Sequence, residues 1–329
     1  MSQHAILTLI RHGETTGNLN RLLQGVTDSP LTVFGQAQVD ALARTWATTI
    51  STATSDVAIT DHKTKKEAPT SRLDLPRPTL VVCSPIGRAR KTAEAIHRAC
   101  VGQGVDDGGI HEDALSDPPS SSRLDAALSH SSHPGLPLIV DKGLAEKDFG
   151  WKESTRGGVH VAGFPKGSGV GETRTDFTTK VYQVGLEWLN AASSLASSSD
   201  RIPHIVLVSH GMWISTFLSA HPPTTITQTS GQPGFLPFAA NTGMFSLKVK
   251  PRSASDDSAS AQRRFETELF RANDIRHLEH VKRQKGGIGR GAFDIKQTKL
   301  SSFFAKPAQP ARQDATIEQE GSPTKKRKT

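Results

Sequence analysis

Hydrophobic positions along the chain fall into short unbroken runs separated by longer stretches of helical period. Ala5-Ile-Leu-Thr-Leu-Ile10 is a short β-prone run, Leu80-Val-Val-Cys83 and His204 to Val208 have the form of buried strands, and Leu138-Ile-Val140 precedes a charged, aromatic loop. Met244 to Val249 reads as a late strand. Between the first two runs, Ser29-Pro30 is followed by Val33, Ala37, Ala41, Leu42 and Trp46, which predicts a helix over Leu31 to Ile50. Ser84-Pro85 opens a second helix running to about Cys100. Two more helices are predicted, over Thr173 to Ala196 and over Met212 to about Ala220. Strands alternating with helices give an α/β domain, a three-layer sandwich around a mainly parallel central sheet. Ligands gather at the carboxyl ends of strands in such sheets. Arg11-His12, Ser84-Pro85 and Ser209-His210 all fall there.

Two stretches interrupt this pattern. Residues 51–78 are rich in Ser, Thr, Lys and Pro, and residues 101–137 in Gly, Asp, Ser, Pro and His, so both are expected to be disordered insertions. Residues 251–262 read as a Ser/Asp-rich linker, and Arg263 to about Lys285 as a short helix or docked segment. Beyond Gly286 the composition predicts disorder. The expected organisation is a catalytic domain over residues 1–280 and a basic tail over 281–329.

Charge sharpens that division. Of 40 basic and 32 acidic residues, 12 and 4 fall in 281–329, which leaves 28 of each in residues 1–280. The sequence pI of 9.6 is therefore a property of the tail. A neutral body is not a general nucleic-acid binder, because phosphate affinity needs clustered cations. Two cysteines, Cys83 and Cys100, exclude a disulfide-rich scaffold and a four-cysteine zinc site, and suit a reducing compartment. Cys83 reads as a small core residue. The first residues lack a basic segment followed by a long apolar one, and no stretch of about 18 apolar residues exists. An intracellular protein with no membrane span is the expectation.

The three strand ends deliver His12, Arg11, Arg88 and His210 to one sheet edge. A neutral imidazole, with an unperturbed pKa of about 6.5, is a good nucleophile toward phosphorus. Guanidinium groups and a second histidine neutralise the charge that spreads over the phosphoryl oxygens in the transition state. A carboxylic acid must then protonate the leaving alkoxide. This chemistry needs no metal or other cofactor, and none is expected.

These residues lie in a run of motifs. Leu9-Ile-Arg-His-Gly-Glu-Thr-Thr-Gly-Asn18 is followed by Leu23-Gln-Gly25, Asp28-Ser-Pro-Leu-Thr32 and Gly35-Gln36. Ser84-Pro-Ile-Gly-Arg-Ala89, Thr92-Ala93, Leu144-Ala-Glu146 with Phe149-Gly150, Gly171-Glu-Thr173, Val208-Ser-His-Gly211 and Asn241-Thr242 come after them. In this order they resemble the histidine phosphatase superfamily, the phosphoglycerate mutase-like group, across residues 5–280. The resemblance implies that His12 is the phospho-accepting nucleophile and that Arg11, Arg88 and His210 hold the phosphoryl group. It implies Glu146 as proton donor, with Asp148 and Glu153 in the same loop, and a substrate side formed by Asn18, Gln24, Gly25, Glu172 and Asn241. Glu172 reads equally as a helix start, and Glu14 as a structural partner for an arginine or for backbone amides. Trp151-Lys-Glu-Ser154 departs from the Glu-Gly usual in small phosphatases, and the longer segment of glycolytic mutases is absent. The implied activity is a phosphomonoester hydrolase acting through phosphohistidine. The alternatives are a mutase-type phosphotransferase and a non-catalytic adaptor built on the same fold.

The tail carries a second resemblance. Gln297, Leu300, Phe303 and Phe304 form the pattern Gln-x-x-Leu-x-x-Phe-Phe, which resembles the PIP box by which clients bind the sliding clamp PCNA. Spacings of i, i+3 and i+4 would put the three apolar side chains on one face of a single helical turn. Lys325, Lys326, Arg327 and Lys328 resemble a nuclear localisation signal, so an import receptor is an expected partner and the nucleus an expected location, alone or with the cytoplasm.

Overall fold

In the computed structural model, the structure describes residues 4–54, 74–101, 136–227, 236–252, 265–285 and 287–294. The interiors of both expected insertions, the motif at 297–304 and the basic run at 325–328 lie outside the described residues.

Chain order is β1 (Ala5–Arg11), α1 (Thr16–Leu19), α2 (Val33–Thr54), β2 (Leu80–Cys83), α3 (Gly87–Val101) and β3 (Leu138–Val140). There follow β4 (Thr155–Arg156), β5 (Val159–His160), α4 (Arg174–Ser198), β6 (His204–Ser209), α5 (Gly211–Ala220), β7 (Thr225–Ile226), β8 (Met244–Pro251) and β9 (Phe265–Asp274). The central sheet has the order β3-β2-β6-β1-β8-β9-β7. Its first four strands are parallel, and β8 and β9 extend it antiparallel.

The unbroken apolar runs are explained by the layers on either side. Successive strand residues point to opposite faces. Leu7, Leu9, Ile205 and Leu207 pack against Trp188 of α4 and Trp213 and Phe217 of α5. Ile6, Ile10, Val206 and Val208 pack on the other side, against Leu42 and Trp46 of α2 and Ala89 and Ile96 of α3. The predicted three-layer sandwich is therefore the observed one.

Three elements differ from expectation. Helix α2 continues through Thr54, because no Gly or Pro interrupts residues 36–54. At the other end of that insertion, Leu75 is buried in the core. The segment after Arg263 begins not with a short helix but with the ten-residue strand β9, docked on β8, with Phe265, Thr267, Leu269 and Arg271 buried at period two. Finally, the compact unit runs to Phe293, so residues 281–293 belong with the catalytic domain. Val33 N–H donates to the Gly291 carbonyl and Phe293 N–H to the Leu31 carbonyl, both at the start of α2. Arg283 pairs with both oxygens of Glu14 at 2.9 and 2.6 Å and lies over the Phe34 ring. Glu14 is thus a structural partner for an arginine.

Candidate active site

β1 ends at Arg11, and the chain turns at once through His12 and Gly13. A Cβ on Gly13 would sit 2.7 Å from Val39 and 2.9 Å from the Gly35 carbonyl, so glycine alone lets the turn press onto α2. His12 is buried, and its Nδ1 lies 2.8 Å from the Gly13 carbonyl. A carbonyl only accepts, so Nδ1 carries the proton and Nε2 holds the free lone pair. Arg88 Nε–H donates to that Nε2 at 3.3 Å. Burial, then the charges of Arg88 and Arg11, hold the His12 pKa well below its ordinary 6.5.

Arg88 is 1% exposed in the first turns of α3. Its guanidinium donates to the Gly25 carbonyl at 2.7 Å and the Thr27 carbonyl at 3.0 Å, and faces Asp28 at 3.5 Å. The loop supplying those carbonyls is clasped by Glu153. One oxygen of its carboxylate accepts from Val26 N–H and Phe149 N–H, the other from Thr27 N–H, and the side chain is fully buried. Gly25 lies so close to Glu153 and the Lys147 carbonyl that no side chain fits.

His210 caps the N-terminus of α5, its ring 5.2 Å from that of His12. Ser84 Oγ accepts from Ile86 N–H at 3.3 Å and lies 2.8 Å from His210 Nε2. Either group can be the donor in that bond, since a hydroxyl has one proton and two lone pairs. His210 Nδ1 and Arg11 Nε are buried without a hydrogen-bond partner. The Arg11 Nε–H, a buried donor left in this state, suits a site that takes an anion. Arg11 is otherwise tied to the Ala239 carbonyl at 2.8 Å.

Glu146 is 6% exposed and accepts from Lys147 N–H and from Met212 N–H in the first turn of α5, each at 3.0 Å. Burial raises its pKa above the ordinary 4.5 despite those bonds and the nearby Arg88 and Arg11. A raised carboxyl beside a depressed imidazole is the pairing that acid–base chemistry on a phosphoester requires.

Arg11, His12, Asn18, Gln24, Arg88 and Glu146 line one cavity of about 350 Å³, together with Leu22, Leu23, Phe149, Met212 and Phe238. Asn18 and Gln24 use their amide oxygens within the loop, accepting from Thr15 N–H and Thr15 Oγ respectively, so their amide N–H groups are left for a ligand. Other expected substrate residues lie behind this lining. Gly25 acts through its carbonyl on Arg88, and Asn241 donates to the His12 carbonyl and Asn18 Oδ1. Glu172 is not part of this lining: its carboxylate accepts from Asp148 N–H and pairs with Lys180 at 2.8 Å, while Thr173 caps the helix that follows. Asp148 in turn accepts from Gly150 N–H. Ser84 and Glu153 hold the site together, though nothing in their spacing marks those roles. Among the described residues no group of three or more His, Cys, Asp and Glu side chains is placed to hold a metal ion.

Residues 7–60 match the sequence model of the histidine phosphatase superfamily, branch 1. The chain is 27% identical over 214 residues to the probable phosphoglycerate mutase GpmB of Klebsiella pneumoniae, covering 64% of this chain and 72% of that one. Among solved structures it is similar to mycobacterial hydrolase 2, with a TM-score of 0.49 and 18% identity over 83% of this chain and 91% of the other. It is also similar to a mycobacterial glucosyl-3-phosphoglycerate phosphatase, with a TM-score of 0.46 and 19% identity over 82% and 99%. The match begins in β1 and takes in Arg11-His12-Gly13, the residues about which the whole pocket is arranged; over that segment the chain is similar to the histidine phosphatase superfamily, branch 1.

Proposed function

We propose that the protein is a phosphomonoester hydrolase that works through a phosphohistidine intermediate and needs no metal. The observation that carries this reading is the His12 ring. Its Nδ1–H is fixed on the Gly13 carbonyl, so the Nε2 lone pair is presented in a cavity with the buried Arg88, the half-buried Arg11 and a buried carboxyl. The phosphoryl dianion would take over the Arg88 Nε–H now resting on Nε2, and would also meet Arg11 and His210 Nδ1. His12 Nε2 attacks phosphorus, the P–O bond to the leaving group breaks, and the Glu146 carboxyl gives its proton to the departing oxygen. Water then attacks the phosphorus of phosphohistidine while the Glu146 carboxylate takes its proton. The N–P bond breaks, and inorganic phosphate leaves.

Return of the phosphoryl group to a second hydroxyl of the substrate is the rival reading, favoured by the mutase name of the curated relatives. Excluding water from the intermediate is what that reaction would need. The experiment measures released phosphate from phosphorylated metabolites, nucleotides and phosphopeptides with chelator present, using the intact chain and His12→Ala. Release that depends on His12 is expected. Isomerised substrate without released phosphate would favour the mutase, and turnover by His12→Ala would remove the phosphohistidine pathway.

The pattern of Gln297, Leu300, Phe303 and Phe304 supports a further part of the same reading, that the tail tethers the enzyme to the sliding clamp, with the Lys325–Lys328 run directing it to the nucleus.

A further inference from the structure

We infer that the site accepts a phosphomonoester whose leaving group is flat and apolar or aromatic, with no second anion; this rests on the hydrolase reading above. The cavity has two unlike ends. Arg11, His12, Arg88 and Glu146 make the phosphoryl end, while Leu22, Leu23, Phe149, Met212 and Phe238 make the walls that a leaving group would touch. Phe238 is 83% exposed and Met212 41% exposed at this opening. Large apolar side chains held in water around a pocket mark a binding surface. A cavity of about 350 Å³ lies at the small end of ligand clefts and suits a phosphoryl group plus one or two rings.

Charge and hydrogen-bond accounting point the same way. A phosphoryl dianion uses both cations found among the described lining residues, Arg11 and Arg88. The nearest lysines are committed elsewhere: Lys147 donates to the Glu172 carbonyl and lies 5.3 Å from the Phe149 ring, and Lys180 pairs with the Glu172 carboxylate. A carboxylate or second phosphate on the substrate would find no further cation among the described lining residues, only the amide N–H groups of Asn18 and Gln24, which is costly. For sugar hydroxyls the lining offers little: the Ser215 hydroxyl already donates to the Gly211 carbonyl, and Asn18 and Gln24 have their amide oxygens occupied and only their N–H groups to give. A ring, in contrast, gains contact with Phe149 and Phe238.

The test compares benzyl phosphate, methyl phosphate, glucose 6-phosphate and 3-phosphoglycerate on the full chain with chelator present. All four release a primary alkoxide, so intrinsic reactivity does not dominate the ranking. Benzyl phosphate is expected to have the highest kcat/KM by about tenfold or more. In Phe238→Ala the ratio of benzyl to methyl phosphate is expected to fall by about tenfold, the size of one aromatic contact; Phe238 is exposed, so this variant should fold. Comparable or better His12-dependent turnover of 3-phosphoglycerate or glucose 6-phosphate would overturn the inference and leave the hydrolase standing. An unchanged ratio in Phe238→Ala would also overturn it. No His12-dependent release from any of the four would remove the hydrolase reading and the inference together.

Discussion

Burial drives His12 and Glu146 in opposite senses, because it disfavours whichever form is charged. His12 loses its proton below the ordinary 6.5 and so is a free base at neutral pH; Glu146 keeps its proton above the ordinary 4.5 and so remains an acid further up the scale. For free enzyme, kcat/KM should rise with pH as His12 deprotonates, with a midpoint below 6.5, and fall as Glu146 ionises. Glu146→Gln should abolish the second limb. It should also slow an alkyl phosphate by about 10²–10⁴, the usual range for a proton donor, and slow p-nitrophenyl phosphate far less, since that leaving group needs no proton. Equal losses on both substrates would assign the proton to another group. The principal groups were legible at this scale because Arg11, His12, Arg88 and His210 each sit in a motif that follows a strand or opens a helix. Ser84 was not, for its role depends on a hydrogen bond to a residue 126 positions away.

Among the elements, the Gly25–Asp28 loop is the part that aligns Arg88, and Glu153 holds it with two backbone N–H bonds, from Val26 and Thr27, while a third comes from Phe149. Glu153→Ala should therefore lower kcat/KM by tenfold or more through Arg88, yet keep the alkaline limb that Glu146→Gln loses. Loss of that limb in Glu153→Ala would make Glu153 a proton donor rather than a positioning residue. The sequence placed Glu153 beside Glu146 and could not separate them, because only the fold shows that one carboxylate faces the cavity and the other the loop. The parallel strands were legible because helices cover both faces and make them uniformly apolar. β9 was not: Glu266, Glu268, Arg271 and Asn273 dilute it, and its pairing with β8 outweighs that polarity. Its period-two signal, Phe265, Thr267 and Leu269, was present but short.

At the scale of the whole molecule, residues 1–280 are electrically neutral and the excess charge lies in 281–329. Composition alone set the domain end at 280, whereas backbone bonds to Leu31 and Val33 and the Arg283–Glu14 pair carry it to Phe293. Such bonds join residues far apart in sequence, so a local reading does not register them. For the tail, purified full-length protein should bind purified PCNA, and replacing Leu300, Phe303 and Phe304 together by alanine should abolish binding; binding that survives the triple replacement would remove the clamp reading. The central claim is that phosphate passes through His12. Its most direct test mixes the intact chain with a turned-over phosphomonoester, quenches in alkali within one turnover, and maps phosphate by peptide mass. An alkali-stable, acid-labile phosphate is expected on the His12 peptide and absent from His12→Ala. Steady turnover by the intact chain with no phosphate on His12 at any quench time would contradict it.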